Sequence, residues 1–197
     1  MTTNSLPMIL QLDKTGSPIK WIDCEKAAYY YCKSQVLWEQ GTNTITVHGG
    51  INVATNSQSK FVMNAIIAVD GRVTQKTKQP SISNRLLFKR DGMRCAYCNN
   101  VYTHSHLTRD HIHPRVKGGK NTWTNIVTAC RPCNSYKGHT LLSVLKWPLN
   151  YEPYEPSRAE ILFLKNSNML NDQCELLLSL IPSSSRVHQL YNNPKDI

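Results

Sequence analysis

Two pairs of cysteines constrain the fold of this chain more than any other feature. Cys95 and Cys98 form one C-x-x-C pair, Cys130 and Cys133 form the other, and 31 residues separate the pairs. Two such knuckles present four thiolates, the number that closes the tetrahedral shell of a structural Zn²⁺ ion. Buried free thiols, or disulfides in an exported protein, are the alternatives. The start of the chain, MTTNSLPMIL, has neither the cationic nor the long apolar segment of a secretory signal. We therefore predict a closed zinc site that stabilises the fold and does not catalyse.

The three remaining cysteines are predicted to be core residues rather than metal ligands. Cys24 and Cys32 lie eight residues apart in a helix predicted over 23–33, on roughly one face. Cys174 stands beside a run of leucines.

The net charge of +10 is concentrated in the middle of the chain. Residues 72–139 contain thirteen Lys and Arg but only two acidic residues, Asp91 and Asp110, whereas the rest of the chain is close to neutral. A solvated charged surface usually mixes both signs, so this local excess indicates a polyanionic partner, with nucleic acid as the first candidate. No apolar run approaches the ~20 residues that a membrane span needs. We expect a cytoplasmic protein with no membrane partner.

Composition and turn-forming residues divide the chain into three segments. Residues 1–80 alternate strand and helix signals and are predicted to be an α/β scaffold or orienting module, ending in a basic linker over 71–80. Residues 81–145 hold both cysteine pairs, and residues 146–197 are predicted to be a helical extension with a frayed tail. Hydrophobic residues make up 40% of the chain, enough for a buried core.

Local patterns predict the elements of these segments. Strands are predicted over 8–12, 18–22, 44–48 and 61–69, the third of them ending in a turn at Gly49-Gly50. Helices are predicted after an N-cap at Asp23, from Ser83 to Arg90, from the capping box Ser157–Glu160, and around 172–180.

The stretch between the cysteine pairs contains the residues that carry chemistry. It includes the run Leu107-Thr-Arg-Asp-His-Ile-His-Pro114, the pair Gly118-Gly119 and Asn125, and the second cysteine pair is followed directly by Asn134. Over roughly residues 85–140 the chain resembles the HNH nuclease family, because histidine, asparagine and knuckles occur in the expected order. The resemblance implies a zinc-stapled ββα-metal core, in which two strands joined by a loop precede a helix. The expected fold class is α+β.

The resemblance also implies roles for individual residues. Phosphodiester hydrolysis needs a base and positive charge near the phosphate. His111 is the base candidate, because an imidazole is largely neutral near neutral pH. Asp110 and Asn134 offer oxygen ligands, which suit Mg²⁺ or Mn²⁺. Asn134 occupies a position where many family members have histidine, which makes the chain an H-N-N variant. Asn125 matches the family's central asparagine, which ties the loop to the strand.

The order of these residues raises a geometric difficulty. Asp110 and His111 are neighbours, and neighbours in a regular strand point to opposite faces, so convergence requires a twist or a strand end. His113 would share a face with His111, and is either a rival base or a residue hydrogen-bonded beside Pro114. His139 lies five residues after the last asparagine, about 140° away around a helix, and is set aside.

Basic residues near the two glycines are predicted to bind the phosphates of the nucleic acid. The predicted contacts are Arg109, Arg115, Lys117, Lys120 and Lys137. Such contacts position the substrate but do not read its sequence. Lys137 is assigned because it lies three residues after Asn134 and shares its helix face.

By resemblance, we predict a metal-dependent HNH endonuclease that cuts DNA and leaves a 5′-phosphate and a 3′-hydroxyl. The alternatives are a zinc-stabilised nucleic-acid-binding protein that does not cut, and an RNA-directed nuclease. A pure binding protein has no use for a base next to a carboxylate, which favours an enzyme. One HNH unit carries one reaction centre, so cutting both strands requires a dimer or two sequential nicks.

Overall fold

The structure, a computed structural model, describes residues 6–70 and 81–192. They form two compact units, one made of 6–70 with 166–180 and the other of 81–165 with 181–192. The predicted extension 146–197 is thus divided between the two units, and the predicted linker 71–80 lies outside the described residues. Helices and strands occur in both units, so the α+β class is confirmed. Within the described ranges, none of the helices has the length and apolar character needed to cross a bilayer.

A four-stranded sheet forms the base of the first unit. Its strands are β1 (Ile9–Leu12), β2 (Pro18–Ile22), β3 (Val36–Asn52) and β4 (Ser57–Val69), and their order across the sheet is β2-β1-β4-β3. The β1–β4 pair is parallel, and the other two pairs are antiparallel. The turn predicted at Gly49-Gly50 is wrong: β3 continues through both glycines, because a register shift between His48 and Ile51 absorbs them within the ladder.

Two helices complete the first unit, α1 (Cys24–Cys32) and α6 (Asn171–Leu180). Asp23 caps α1 as predicted, accepting a hydrogen bond from the backbone of Lys26 at 2.7 Å. Cys174 is buried and Cys24 is half-buried against the core, but Cys32 is exposed, so its prediction as a core residue is wrong. Eight residues at ~100° each leave Cys32 roughly 80° around the helix from Cys24, away from the packed stripe.

The second unit contains the predicted ββα order. Its elements are α2 (Asn84–Arg90), β5 (Leu107–His111), β6 (Ile126–Cys130), α3 (Arg131–Lys137), α4 (Leu142–Leu145), α5 (Arg158–Lys165) and α7 (Val187–Asn192). The strands β5 and β6 form an antiparallel hairpin, and α3 follows β6 directly. Ser83 and Ser157 cap α2 and α5 through their hydroxyl oxygens, as the sequence predicts.

A buried arginine fixes the β5–β6 hairpin to the rest of the second unit. The guanidinium of Arg90 is fully buried and pairs with Asp91 at 2.8 Å. Its remaining hydrogen bonds go to the backbone carbonyl oxygens of Trp123 at 2.7 Å, Tyr154 at 2.8 Å and Ile126 at 2.9 Å. Because the carbonyls of Trp123 and Ile126 lie beside and in β6, while that of Tyr154 precedes α5, this one side chain ties the hairpin to the segment before α5.

Candidate metal centre and active-site cleft

The four cysteines of the two knuckles come together in the second unit. Their Sγ atoms all lie within 4.8 Å of one another, and those of Cys98 and Cys130 are 4.0 Å apart. A tetrahedral zinc shell with bonds of ~2.3 Å has sulfur–sulfur edges of ~3.8 Å. The cluster therefore has the donor set and the spacing to hold one Zn²⁺ ion.

The thiols of this cluster differ in how readily they ionise. Burial opposes ionisation of Cys98, but hydrogen bonds from the Asn100 backbone and the Tyr102 hydroxyl outweigh it and lower the pKa of Cys98 to about 7. Burial raises the pKa of Cys95 and of Cys133. Four thiolates at this spacing repel one another, and a bound divalent cation removes that repulsion.

Each knuckle also contributes a side chain to the surroundings of Asp110. The first knuckle contains Tyr97, whose hydroxyl donates a hydrogen bond to Oδ2 of Asp110. Burial, followed by the charge of the Asp110 carboxylate, raises the pKa of Tyr97, so that its hydroxyl remains a donor. The second knuckle leads into α3, which carries Asn134 and Lys137. The cysteine cluster and the surroundings of Asp110 are therefore one continuous structure.

Asp110, His111 and Asn134 line a single cleft of about 230 Å³. His111 is the last residue of β5, so the alternation of the strand ends there and the two neighbours reach the same space. Arg115 and His139 also line the cleft. His139, which the helical angle had set aside, reaches it because α3 ends at Lys137 and the chain leaves the helix at Gly138, where φ is 50°.

The residue Asp110 is 6% exposed, and its carboxylate takes part in a buried ion pair. The ammonium of Lys137 lies 3.0 Å from Oδ2 and 3.2 Å from Oδ1 of Asp110, and donates to the carbonyl oxygen of His111 at 2.7 Å. The prediction that Lys137 faces a phosphate is therefore wrong. Its helix position turns it toward β5 rather than toward solvent, and only 1% of the residue is exposed.

The carboxamide of Asn134 is oriented by β5. Its Nδ2 donates to Oγ1 of Thr108 at 2.9 Å and to the carbonyl of Arg109 at 3.4 Å. Because the nitrogen faces the strand, the carboxamide oxygen faces away from it. Asp110 and Asn134 thus offer carboxylate and carboxamide oxygens, the donors that Mg²⁺ and Mn²⁺ prefer.

The ring of His111 has a partner that the sequence analysis did not single out. Its Nε2 lies 2.6 Å from Oδ1 of Asn121. The available signal was the Gly118-Gly119 pair, which indicates a tight loop whose following residues turn back toward the strand. A sequence pattern does not reveal which of those residues meets the imidazole.

Asn125 joins the two sides of the loop between β5 and β6. Its Oδ1 accepts from the backbone N–H of His113 at 2.8 Å, and its Nδ2 donates to the carbonyls of His113 at 3.2 Å and Lys120 at 2.8 Å. The ring of His113 is hydrogen-bonded to the carbonyl of Lys117 at 2.7 Å. His113 therefore has the partner expected of a loop residue, and it is not among the residues that line the cleft.

The predicted basic contacts fall into two groups. Arg115, Lys117 and Lys120 are exposed around the loop, where a phosphate backbone has access to them. Arg109 instead donates to Oδ1 of Asn84 at 2.8 Å and to the carbonyl of residue 82 at 2.8 Å. Its guanidinium already binds the start of α2, and its role as a phosphate contact stays a prediction.

A larger cleft of about 570 Å³ lies elsewhere in the second unit, and its lining includes Asp91, Tyr151 and Arg186. Arg186 is 3.2 Å from Asp91 and stacks over the ring of Tyr151 at 3.7 Å. The described residues that line this cleft include no histidine, so it lacks the imidazole of the smaller one, and the charges of Asp91 and Arg186 are paired with each other.

A known family model matches the part of the chain that forms the cysteine cluster and the smaller cleft. Residues 95–149 match a family model described as HNH endonuclease. A stretch of 63 residues is 40% identical to the CRISPR-associated endonuclease Cas9 of Corynebacterium diphtheriae (strain ATCC 700971 / NCTC 13129 / Biotype gravis). That stretch is 32% of this chain and 6% of the Cas9 protein, so the similarity covers a small part of the relative. The resemblance to HNH nucleases is confirmed for the segment that the family model matches, residues 95–149.

Proposed function

We propose that this protein is a metal-dependent endonuclease that hydrolyses phosphodiester bonds of DNA in the cleft at Asp110, His111 and Asn134. The observation that carries the proposal is the convergence of a carboxylate, an imidazole and a carboxamide on one cleft. That cleft lies within the segment that matches the HNH family model.

Asp110 and Asn134 are the residues that would hold the catalytic ion. A carboxylate has about four lone-pair sites, and the Tyr97 hydroxyl and the Lys137 ammonium leave room for a further ligand on Asp110. When bound, Mg²⁺ or Mn²⁺ supplies positive charge to the phosphate oxygens. The four cysteines would hold a Zn²⁺ ion that stabilises the fold, because four protein ligands leave it no open position.

The chain's own residues move the proton and hold the substrate. His111 accepts a proton from a water molecule, and the oxygen of that water forms a bond to the phosphorus atom. The bond from phosphorus to the 3′-oxygen breaks, and the 3′-oxygen takes a proton from solvent. The products are a 5′-phosphate and a 3′-hydroxyl. Arg115, Lys117 and Lys120 hold neighbouring phosphates of the strand.

The first experiment incubates the purified protein with supercoiled plasmid and, in parallel, with RNA of similar length. We expect Mg²⁺ or Mn²⁺ to support nicking of the plasmid and EDTA to stop it. Preferential cutting of RNA would favour the RNA-directed alternative. Binding of DNA without metal-dependent nicking would favour a zinc-stabilised binding protein that does not cut.

The second experiment compares three histidine variants. His111→Ala should lower the nicking rate by about 10²–10⁴-fold, the usual contribution of a general base, while the fold and DNA binding persist. His113→Ala is the matched control, because that ring is hydrogen-bonded within the loop and should keep most of the activity. A normal rate for His111→Ala with a lost rate for His139→Ala would assign the base to His139 instead.

A further inference from the structure

The imidazole of His111, which lines the cleft, is hydrogen-bonded to a side chain of the loop between β5 and β6. Nε2 of His111 lies 2.6 Å from Oδ1 of Asn121, a short hydrogen bond. A carboxamide oxygen has no hydrogen to give, so the ring nitrogen must be the donor. A neutral imidazole carries its hydrogen on one nitrogen only, which leaves Nδ1 with a free lone pair.

The backbone of the loop holds Asn121 in this position. Asn125 donates to the carbonyl of Lys120, the residue directly before Asn121, at 2.8 Å. The N–H of Gly119 donates to the carbonyl of Pro114 at 3.1 Å, which closes the other side of the loop. A Cβ at Gly119 would lie 1.7 Å from the carbonyl oxygen of His113, so a glycine is required for this close approach. Oδ1 of Asn121 is therefore held at a fixed position next to the imidazole of His111.

Without this acceptor, nothing in the loop favours the tautomer of His111 that carries its hydrogen on Nε2. Its ring is then free to rotate, and the tautomer with hydrogen on Nδ1 becomes populated. That tautomer has no lone pair on Nδ1 with which to accept a proton. An orienting hydrogen bond to the base therefore affects the rate without touching the substrate.

We infer that Asn121 is a positioning residue, which holds His111 in the tautomer with a protonated Nε2 and directs Nδ1 to the water. The inference rests on the proposed function for its effect on rate, but the tautomer itself is measurable without any substrate. The expected cost of losing Asn121 is about 10–100-fold in rate, less than the cost of losing the imidazole.

The direct test is the ¹⁵N spectrum of the His111 ring, recorded well above neutral pH so that the ring is uncharged. The wild-type protein should show hydrogen on Nε2. Asn121→Ala should show a mixture of the two tautomers, and Asn121→Asp, which keeps an acceptor oxygen, should restore the wild-type pattern. Thr122→Ala, the next residue of the same loop, is the matched control and should leave the pattern unchanged.

The kinetic test uses the same four proteins on plasmid. Asn121→Ala should lower kcat and leave KM unchanged, with Asn121→Asp recovering much of the loss. An unchanged tautomer in Asn121→Ala would overturn the inference, and so would equal losses in Asn121→Ala and Thr122→Ala, which indicate general damage to the loop. If the wild-type protein cuts nothing, the proposed function fails, and the spectrum alone decides whether Asn121 fixes the ring.

Discussion

Two buried ion pairs in the second unit differ in how exposed their carboxylates are. The difference distinguishes a pair that only stabilises the fold from a pair at the candidate active site. In the pair Arg90–Asp91, both side chains are 0% exposed. In the pair Lys137–Asp110, the lysine side chain is also 0% exposed, but that of the aspartate is 8% exposed. Both aspartates line clefts, but only the side chain of Asp110 retains an exposed fraction. One carboxylate is thus enclosed by its partners, and the other keeps an opening to an outside ligand.

The partners of each carboxylate explain this difference. Asp91 accepts from Arg90, from Arg186 and from the backbone N–H of Thr128 at 2.9 Å, so protein groups surround it on several sides. Asp110 accepts from Tyr97 and Lys137, and its side chain stays partly exposed in the cleft. An enclosed pair contributes to the position of the elements, whereas a pair with one open side can exchange a partner.

The largest effect should follow from breaking the enclosed pair. Arg90→Met removes the closest cation from the buried Asp91 and the donor from three backbone carbonyls, and we expect the free energy of unfolding to fall by about 3–5 kcal/mol. Urea denaturation measures this loss. A decrease below about 1 kcal/mol, the range of an exposed pair, would contradict the structural role of Arg90.

Breaking the open pair should cost less. Lys137→Met leaves Asp110 with access to water through the cleft, and we expect a loss of about 1–3 kcal/mol, the usual cost of an unsatisfied buried group. Millimolar Mg²⁺ should recover part of this loss in Lys137→Met and none of it in Arg90→Met, as thermal unfolding will show. Equal recovery of stability by Mg²⁺ in both variants would contradict the proposed difference between the two pairs.

A third buried carboxylate, Glu160, extends the comparison to a smaller effect. It accepts from the Tyr154 hydroxyl at 2.5 Å, and burial raises its pKa above the value in the unfolded chain. The folded state therefore holds this proton more tightly. The stabilisation is complete below the unfolded value of about 4.3 and is lost as the pH rises through the folded pKa.

Glu160→Gln removes this titration. The free energy of unfolding of the variant should therefore fall less steeply than that of the wild-type protein as the pH rises from about 4.3 toward neutrality. Parallel urea titrations over this range measure the two slopes. Identical slopes would show that Glu160 does not titrate differently in the folded protein.

Local patterns were enough to predict most of the second unit. The cysteine spacing indicates the cluster, and the caps at Ser83 and Ser157 depend on residues three positions away. Short stretches of sequence are therefore enough to predict these features. The order of strand, strand and helix was predicted from the resemblance to the HNH family, not from local patterns. The continuation of β3 through Gly49-Gly50 was missed, because pairing with β4 outweighs the local preference of glycine for turns.

The errors in the site concern residues whose roles depend on another element. Lys137 was expected at a phosphate because its helix position was known but its partner on β5 was not. His139 was excluded on the assumption that α3 continues past Gly138. Asn121 was missed because a loop residue meets His111 through the closure of the whole loop, which the sequence does not specify residue by residue.

The central claim is that Asp110, unlike Asp91, accepts a divalent cation from the cleft. Calorimetric titration of Mn²⁺ into zinc-loaded wild-type protein and into Asp110→Asn tests it without any substrate. We expect one Mn²⁺ to bind the wild-type protein and this binding to be lost in Asp110→Asn, while the variant remains folded. Binding of equal affinity and stoichiometry in both proteins would contradict the claim.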